Sequence, residues 1–284
     1  MGTGNGKRKA ALAACSDPIS ERRLPEIYRI ADILREEGLD VILPRPFFEL
    51  RSEDPALKAE SLMNCFQTPG MAYIFDVSGG DLANGVLPLL DYDVIRKSGA
   101  VFFGYSDLTT VINAVIAKTG RPAVNYQIRN ILYEHADEQL GCLREKILPG
   151  RISAEDLAYR FLRGRCMKGK IMGGNIRCFL KLAGTPFWPD LTGSILLLES
   201  LGGGVYQMRT ALEQYRQMGV FERISGVLLG TFSKMEAEDL QPSVPELVME
   251  MIPEDLPVAV TRYVGHGSDS RAVVLGQEAV LTAE

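Results

Sequence analysis

Short apolar runs alternate with helix-periodic segments through the first half of the chain, and this alternation is what most constrains the fold. Ala10–Cys15 is an apolar run of strand length, ended by the turn-forming Ser16-Asp17-Pro18. Leu24, Ile27, Ile30, Ala31 and Leu34 share one face of a helix over Leu24–Gly38, with Gly38 suited to its C-cap. Leu39–Leu43 is apolar again. Strand, helix, strand is the opening of a parallel sheet. The spacing then predicts a helix over Ala56–Phe66, a strand over Met71–Val77 and a helix-like Leu82–Leu90. Asp91-Tyr92-Asp93 caps a further helix; a strand over Ala100–Phe103, a helix over Leu108–Thr119 and a strand at Ala123-Val124 follow. A doubly wound α/β domain is expected over residues 1–145. Ligands of such sheets sit beyond the C-terminal strand ends, where Gly79-Gly80 and Ser106 fall.

From about Ile152 the pattern changes. Lys168–Asn175 reads as a strand and a tight turn at Gly173-Gly174-Asn175. Ile195–Leu198 and Val227–Leu229 are strands, with an amphipathic helix over Met208–Gly219 between them. Pro257–Val260 and Arg271–Leu275 are further strands. A second, smaller, β-rich mixed α/β domain is expected over 166–284, after a linker over 146–165.

Charge and composition exclude some classes. The chain carries 31 Lys and Arg against 36 Asp and Glu, a net charge of −5. The short Lys7-Arg8-Lys9 is its basic cluster, so nucleic acid is not expected as a partner. No stretch approaches the ~18 apolar residues of a membrane span. Lys7-Arg8-Lys9 before Ala10–Cys15 has the outline of a lipoprotein signal, but the apolar run of about five residues falls short of the ~7–15 needed. Five cysteines, widely spaced and without a CxxC, fit free thiols in a reducing compartment, so a cytoplasmic location is expected. His135 and His266 are too few for a multi-histidine zinc site.

Ser106 lies in Gly104-Tyr105-Ser106-Asp107, between an expected strand and an expected helix. A serine on such a turn exposes its hydroxyl, and the amide of the next residue can donate to an oxyanion in the same space. The position equally suits a plain helix cap. The hydrolase pattern GxSxG is incomplete, with Leu108 at its second glycine. A serine nucleophile needs a base. His266, in Gly265-His266-Gly267, is either that base or a turn histidine, whereas His135 sits in a polar stretch and reads as a solvated helix residue. Glu199 ends the apolar Ile195–Leu198 and is either an orienting acid or a capping carboxylate; burial without a partner would be costly. Asp107 reads as an oxyanion or capping residue. Gly202-Gly203-Gly204 is a turn, Trp188 with Phe187 is a packed loop anchor, and Tyr105 faces either pocket or core.

Taken in order, these segments resemble the LD-carboxypeptidase family of serine peptidases, the muramoyltetrapeptide carboxypeptidases, whose superfamily includes the microcin C immunity peptidases. The resemblance runs through Ala14–Pro18, Gly79-Gly80, Leu87–Asp93, Phe103–Thr109, Gly173-Gly174-Asn175, Leu182–Pro186, Leu196–Glu199, Gly226–Gly230 and Gly265-His266-Gly267. It implies a Rossmann-like N-terminal domain, a smaller β-rich C-terminal domain and a site between them. It implies Ser106 as nucleophile, His266 as base and Glu199 as orienter, with an oxyanion hole from the Asp107 amide and an amide of Gly79 or Gly80. No metal or organic cofactor is implied. A homodimer and a murein peptide substrate in peptidoglycan recycling are. Ser78 stands where the murein enzymes carry arginine before the glycine pair, Val124-Asn125-Tyr126-Gln127 where members often have a Gly-Pro turn, and Gly202-Gly203-Gly204 where an acidic stretch is common. The missing arginine keeps open hydrolysis of an aminoacyl-nucleotide amide. A non-catalytic two-domain binder of small molecules is the expectation of another class.

Overall fold

The computed structural model describes residues 7–43 and 53–283. Their strands form two six-stranded sheets. The first contains β1 (Lys9–Ala13), β2 (Asp40–Ile42), β3 (Met71–Asp76), β4 (Val101–Gly104) and β5 (Ala123–Asn125), parallel and in the spatial order β5-β4-β3-β1-β2. The connecting helices are α1 (Leu24–Glu36), α2 (Pro55–Gln67), α3 (Tyr92–Lys97) and α4 (Thr109–Thr119). Successive strand residues point to opposite faces. Ala10 and Leu12 accordingly pack with Ile27, Ile30 and Leu34 of α1, while Ala11 and Ala13 pack with Leu62 of α2 and Val111 of α4. This is the expected doubly wound arrangement.

Local chemistry sets the helix starts. The Asp91 carboxylate accepts from the amides of Asp93 and Val94, at 3.0 and 3.1 Å, and caps α3. Leu82–Leu90, expected as helix-like, is a 3-10 turn over Ala83–Leu89. Pro88 lies inside it, and a residue without an amide proton cannot continue an α-helical ladder.

After α5 (Ala136–Cys142) the second sheet is built from β6 (Arg160–Arg163), β7 (Cys166–Asn175), β8 (Ile195–Ser200), β9 (Gly226–Phe232), β10 (Val258–Val260) and β12 (Glu278–Thr282). Its central strands β7, β8, β9 and β10 are parallel, and the edges β6 and β12 are antiparallel to their neighbours. Helices α6 (Ile176–Leu180) and α7 (Val205–Gln217) connect β7 to β8 and β8 to β9. Strand β6 falls inside the stretch 146–165.

Two features differ from the sequence expectation. Arg271–Leu275 yields β11 (Val273–Leu275), which joins the first sheet antiparallel to β5 rather than the second. The C-terminal third of the chain therefore contributes to both sheets. And Gly173-Gly174 is not a tight turn but lies inside β7, just before its last residue Asn175. Gly173 has φ +106 and Gly174 φ +125. A Cβ on Gly173 would lie 2.4 Å from the Leu197 carbonyl oxygen, and one on Gly174 2.8 Å from Thr109 Oγ1. Gly173 lets β7 lie close against β8, and Gly174 lets it approach α4 of the first domain. Asn113 of α4 completes the contact: its Nδ2 donates to the Gly173 carbonyl at 2.8 Å, and its Oδ1 accepts from the Gly173 amide at 3.1 Å. One apolar core runs continuously from α4 into the second sheet.

Candidate active site

Strand β4 ends at Gly104, and the chain turns through Tyr105 and Ser106 into a 3-10 turn over Ser106–Leu108 and then α4. Ser106 has φ +56, left-handed backbone that a non-glycine residue adopts at a cost of about 1–3 kcal/mol. Gly104 permits the sharp turn, because a Cβ there would lie 2.6 Å from Leu108 Cβ. The Asp107 amide heads the 3-10 turn, where no preceding carbonyl of the helix can accept from it. Ser106 and Gly80 line one cavity of about 840 Å³, whose far wall is Asn175, Ile176 and Lys181 around α6 and Leu201 and Tyr206 at the start of α7.

Gly80 requires its lack of a side chain. It has φ +131, and a Cβ would fall 2.0 Å from Asp17 Cγ. Asp17 accepts from the Asp81 amide at 2.8 Å and donates its own amide to the Gly79 carbonyl at 3.2 Å. Gly79 has open space around a Cβ and lines a smaller cavity of about 280 Å³ with Asp17, Ser20, Arg23 and Ser78. Beneath this loop, the Asp76 carboxylate accepts from the amides of Cys15 and Ser78 at 2.8 Å each, and from Ser78 Oγ. Ser78 Oγ in turn accepts from the Ser16 amide at 2.9 Å. Burial raises the Asp76 pKa above the usual carboxylate value, against the opposing pull of those hydrogen bonds. Burial also pushes the Cys15 thiol well up and the Lys58 ammonium down. Lys58 donates to the Ser16 carbonyl within the same network.

The second domain supplies Glu199 and His266. His266 Nδ1 lies 2.7 Å from Glu199 Oε2, and the two side chains are 4% and 2% exposed. They meet at ion-pair distance without hydrogen-bond alignment, and His266 Nε2 is buried with no partner. Two glycines make room for the pair. A Cβ on Gly230 would meet the Val264 carbonyl oxygen at 2.3 Å and Glu199 Cβ at 3.1 Å. One on Gly265, with φ +150, would meet Thr231 Oγ1 at 1.9 Å. The first domain also holds the histidine loop. Gln139 Nε2 donates to the Ser268 and Ser270 carbonyls at 3.0 Å each, and Asn130 Nδ2 donates to the Gly267 carbonyl at 3.3 Å.

Glu199 and His266, expected as partners, are thus in contact. Ser106 and His266 are joined through Tyr105, whose ring centroid lies 4.8 Å from that of His266; the Ser106 hydroxyl does not hydrogen-bond to Nε2. Tyr105 therefore faces the site. His135 is at the start of α5, near Glu138 and away from this cluster. Trp188 stacks on Phe179 with centroids 4.5 Å apart, as a packed anchor.

Asp107 is more than a capping residue. Its fully buried carboxylate accepts at Oδ2 from Ser16 Oγ and from the Ala83 amide, at 2.7 Å each, and at Oδ1 from Lys181 Nζ at 2.6 Å. Lys181 also donates to the Asp81 carbonyl at 2.8 Å. Burial is the largest single influence on the Lys181 ammonium and lowers its pKa, but the hydrogen bond and charge of Asp107, with Cys178 and Asp81, together raise it. Sequence reading missed Lys181, Gln139 and Asp76. None sits in a recognisable motif, and each acts through a partner distant in the chain.

Comparison with known proteins agrees with this architecture. Residues 10–126 match the LD-carboxypeptidase N-terminal domain, and residues 168–281 match the LD-carboxypeptidase C-terminal domain. The murein tetrapeptide carboxypeptidase of Pseudomonas aeruginosa is 25% identical over 236 residues, 79% of this chain and 76% of that protein. The microcin C7 self-immunity protein MccF of Escherichia coli is 24% identical over 229 residues, 69% of this chain. The chain spans 66% of the length of that protein and 60% of that of a matching Vibrio cholerae relative. The solved structure of MccF in complex with glutamyl sulfamoyl guanosine superposes with a TM-score of 0.82 at 16% identity, covering 98% of this chain and 96% of that one. Two family domains matched in order along most of the sequence, on a fold shared end to end with a solved relative, establish that the chain belongs to the LD-carboxypeptidase family.

Proposed function

We propose that this chain is a serine carboxypeptidase that hydrolyses an L,D amide bond and releases a terminal D-alanine from a murein tetrapeptide. The observation that carries the reading is the strained Ser106 backbone at a cavity shared with Gly80, beside a buried His266–Glu199 pair. In this reading the Glu199 carboxylate, 2.7 Å from Nδ1, orients the imidazole so that Nε2 serves as the proton acceptor. His266 takes the Ser106 proton as the hydroxyl oxygen attacks the substrate carbonyl. The amides of Asp107 and of Gly80 or Gly79 then hold the oxyanion, each donor contributing about 3–4 kcal/mol to the transition state. His266 protonates the leaving D-alanine amine, and water, deprotonated by the same imidazole, releases the acyl group from Ser106. Asp107 keeps its carboxylate for structure and lends only its backbone amide.

The P. aeruginosa relative, named for murein tetrapeptide, supports the substrate class. Free cysteines support a reducing, cytoplasmic setting, and the family resemblance supports a homodimer. A second reading, hydrolysis of an aminoacyl-nucleotide amide, draws on Tyr206 and Leu201, 83% and 56% exposed on the cavity wall. A flat nucleobase ring matches such an apolar wall. The E. coli relative is a microcin self-immunity protein. The test is D-alanine release from purified murein tetrapeptide by wild type and by Ser106→Ala. Release by wild type alone supports the first reading. Release by neither moves the substrate to aminoacyl-nucleotide amides or to a binding role, and equal release by both refutes the triad.

A further inference from the structure

Among the described residues, the buried side-chain polar atoms without a hydrogen-bond partner fall into two groups. One is Glu199, His266 and Thr231. The other is a single short run from the last residue of β5 into the 3-10 turn Ile128–Leu132: Asn125 Oδ1, Gln127 Nε2, and Nε and Nη1 of Arg129. Asn125, Gln127 and Arg129 are 6%, 4% and 7% exposed. Orphaned buried polar atoms are rare in native proteins, and a buried guanidinium without an anion is costlier than any neutral group.

The run is held between the two halves of the candidate site. Asn125 is in register with Gly104, and the Tyr126 amide donates to the Gly104 carbonyl at 2.8 Å, two residues before Ser106. At the other end, Asn130 Nδ2 donates to the carbonyl of Gly267, the residue after His266. The Arg129 amide donates to Gln127 Oε1 at 3.1 Å, which leaves Gln127 Nε2 as a second unspent donor. Three other cations near the cleft, Arg177, Lys181 and Arg262, already face acidic partners. Arg177 lies 2.7 Å from Asp81, Lys181 bonds Asp107, and Arg262 is 73% exposed beside Asp269 and over the Tyr263 ring.

We infer that Arg129, assisted by Gln127 Nε2, is the receptor for the terminal carboxylate of the substrate. A carboxylate fits for two reasons. It accepts charge-assisted hydrogen bonds from a guanidinium, whose Nε and Nη1 donors are unspent here. It also supplies the opposite charge for a cation buried in the 3-10 turn Ile128–Leu132 that follows β5. The inference rests on the carboxypeptidase reading above. It deepens that reading by naming what makes the protein an exopeptidase: a substrate without a free terminal carboxylate leaves Arg129 unpaired.

The test compares murein tetrapeptide ending in D-alanine with the same peptide ending in D-alaninamide, on full-length wild type, Arg129→Gln and Arg129→Lys. Wild type should prefer the acid. Arg129→Gln should raise KM for the acid by about 10- to 100-fold, as expected for a lost hydrogen bond to a charged group, with a smaller change in kcat and little effect on the amide. Arg129→Lys should recover part of the preference. An Arg129→Gln enzyme with wild-type KM and wild-type acid-over-amide preference overturns the inference and leaves the carboxypeptidase reading standing. Calorimetric binding of diacetyl-L-lysyl-D-alanine to Ser106→Ala, with and without Arg129→Gln, reads the same contact without turnover. Binding that requires Arg129 while wild type releases no D-alanine sustains the inference and sinks the reading. Binding indifferent to Arg129, or no binding, sinks the inference. If Arg129→Gln does not fold, Arg129→Lys decides: unchanged KM and preference overturn the proposal, and a several-fold rise in KM supports it.

Discussion

Lys181 Nζ lies 2.6 Å from Asp107 Oδ1, so a side chain of the second domain holds the residue that follows the candidate nucleophile in the first. The same ammonium donates to the Asp81 carbonyl, one residue beyond Gly80. One cation thus spans both backbone segments proposed for the oxyanion hole. Lys181→Met leaves Asp107 buried and short of its cation. Removing one partner of such a pair costs about 3–5 kcal/mol when fully buried. With Lys181 18% exposed, the lower end is expected in urea unfolding, together with slower labelling of Ser106 by a fluorophosphonate.

Glu199→Gln keeps the size of the side chain and removes its charge. His266 would lose the anion that favours its protonated form in the transition state. By analogy with other triads, kcat falls about 10³- to 10⁴-fold. Thermal melting should move far less than the rate. Unchanged D-alanine release by Glu199→Gln would remove Glu199 from the mechanism.

Gly80→Ala and Gly79→Ala should behave differently, although the residues are adjacent. At Gly80 the new methyl meets the Asp17 carboxylate from a backbone with φ +131; at Gly79 it meets nothing within 4 Å. Gly80→Ala should lose about 2 kcal/mol or more in urea unfolding, and Gly79→Ala about 1 kcal/mol or less. Equal losses would mean that the glycine pair acts as one flexible unit.

Asp76 gives a pH signature. Burial raises its folded pKa above the ordinary value of 3.8, so between that value and the raised one the folded state binds more protons than the unfolded state. Stability contributed by this group is then greatest in acid and declines as pH rises through the window. Asp76→Asn removes the titration. The stability of wild type minus that of Asp76→Asn should therefore fall from about pH 4 upward, and a difference that rises with pH would contradict the direction of the shift. Matched urea titrations of the two proteins across pH 4–8 read it.

Gln139→Ala tests the loop carrying His266. Both hydrogen bonds to the Ser268 and Ser270 carbonyls are lost. Faster amide exchange over 265–270 is expected, with kcat reduced about 10-fold because the imidazole is less well held. Unaltered exchange there would show that Asn130 and the glycine packing hold the loop alone.

What the sequence by itself determined is whatever depends on neighbours along the chain. The apolar runs of β1, β3, β4 and β8 and the periodic face of α1 are legible because strand and helix periods are local. So is Ser106 at a strand-to-helix turn, since Gly104 and the capping pattern lie within a few residues of it. Contacts across the two sheets decided the rest. Gly173-Gly174 has the composition of a turn, but Gly173 is required by the Leu197 carbonyl of β8 and Gly174 by Thr109 of α4, both distant in the chain. Val273–Leu275 has the pattern of a strand, yet only β5, offering a free edge, settles which sheet it joins. Glu199 and His266, 67 positions apart in number, meet because the glycines at 230 and 265 remove the side chains that would keep their loops apart. Lys181, Gln139 and Arg129 look like ordinary surface polar residues in the sequence. Burial, a property of the folded chain alone, makes their charges and donors consequential, because desolvation compels each to find a partner or to await one.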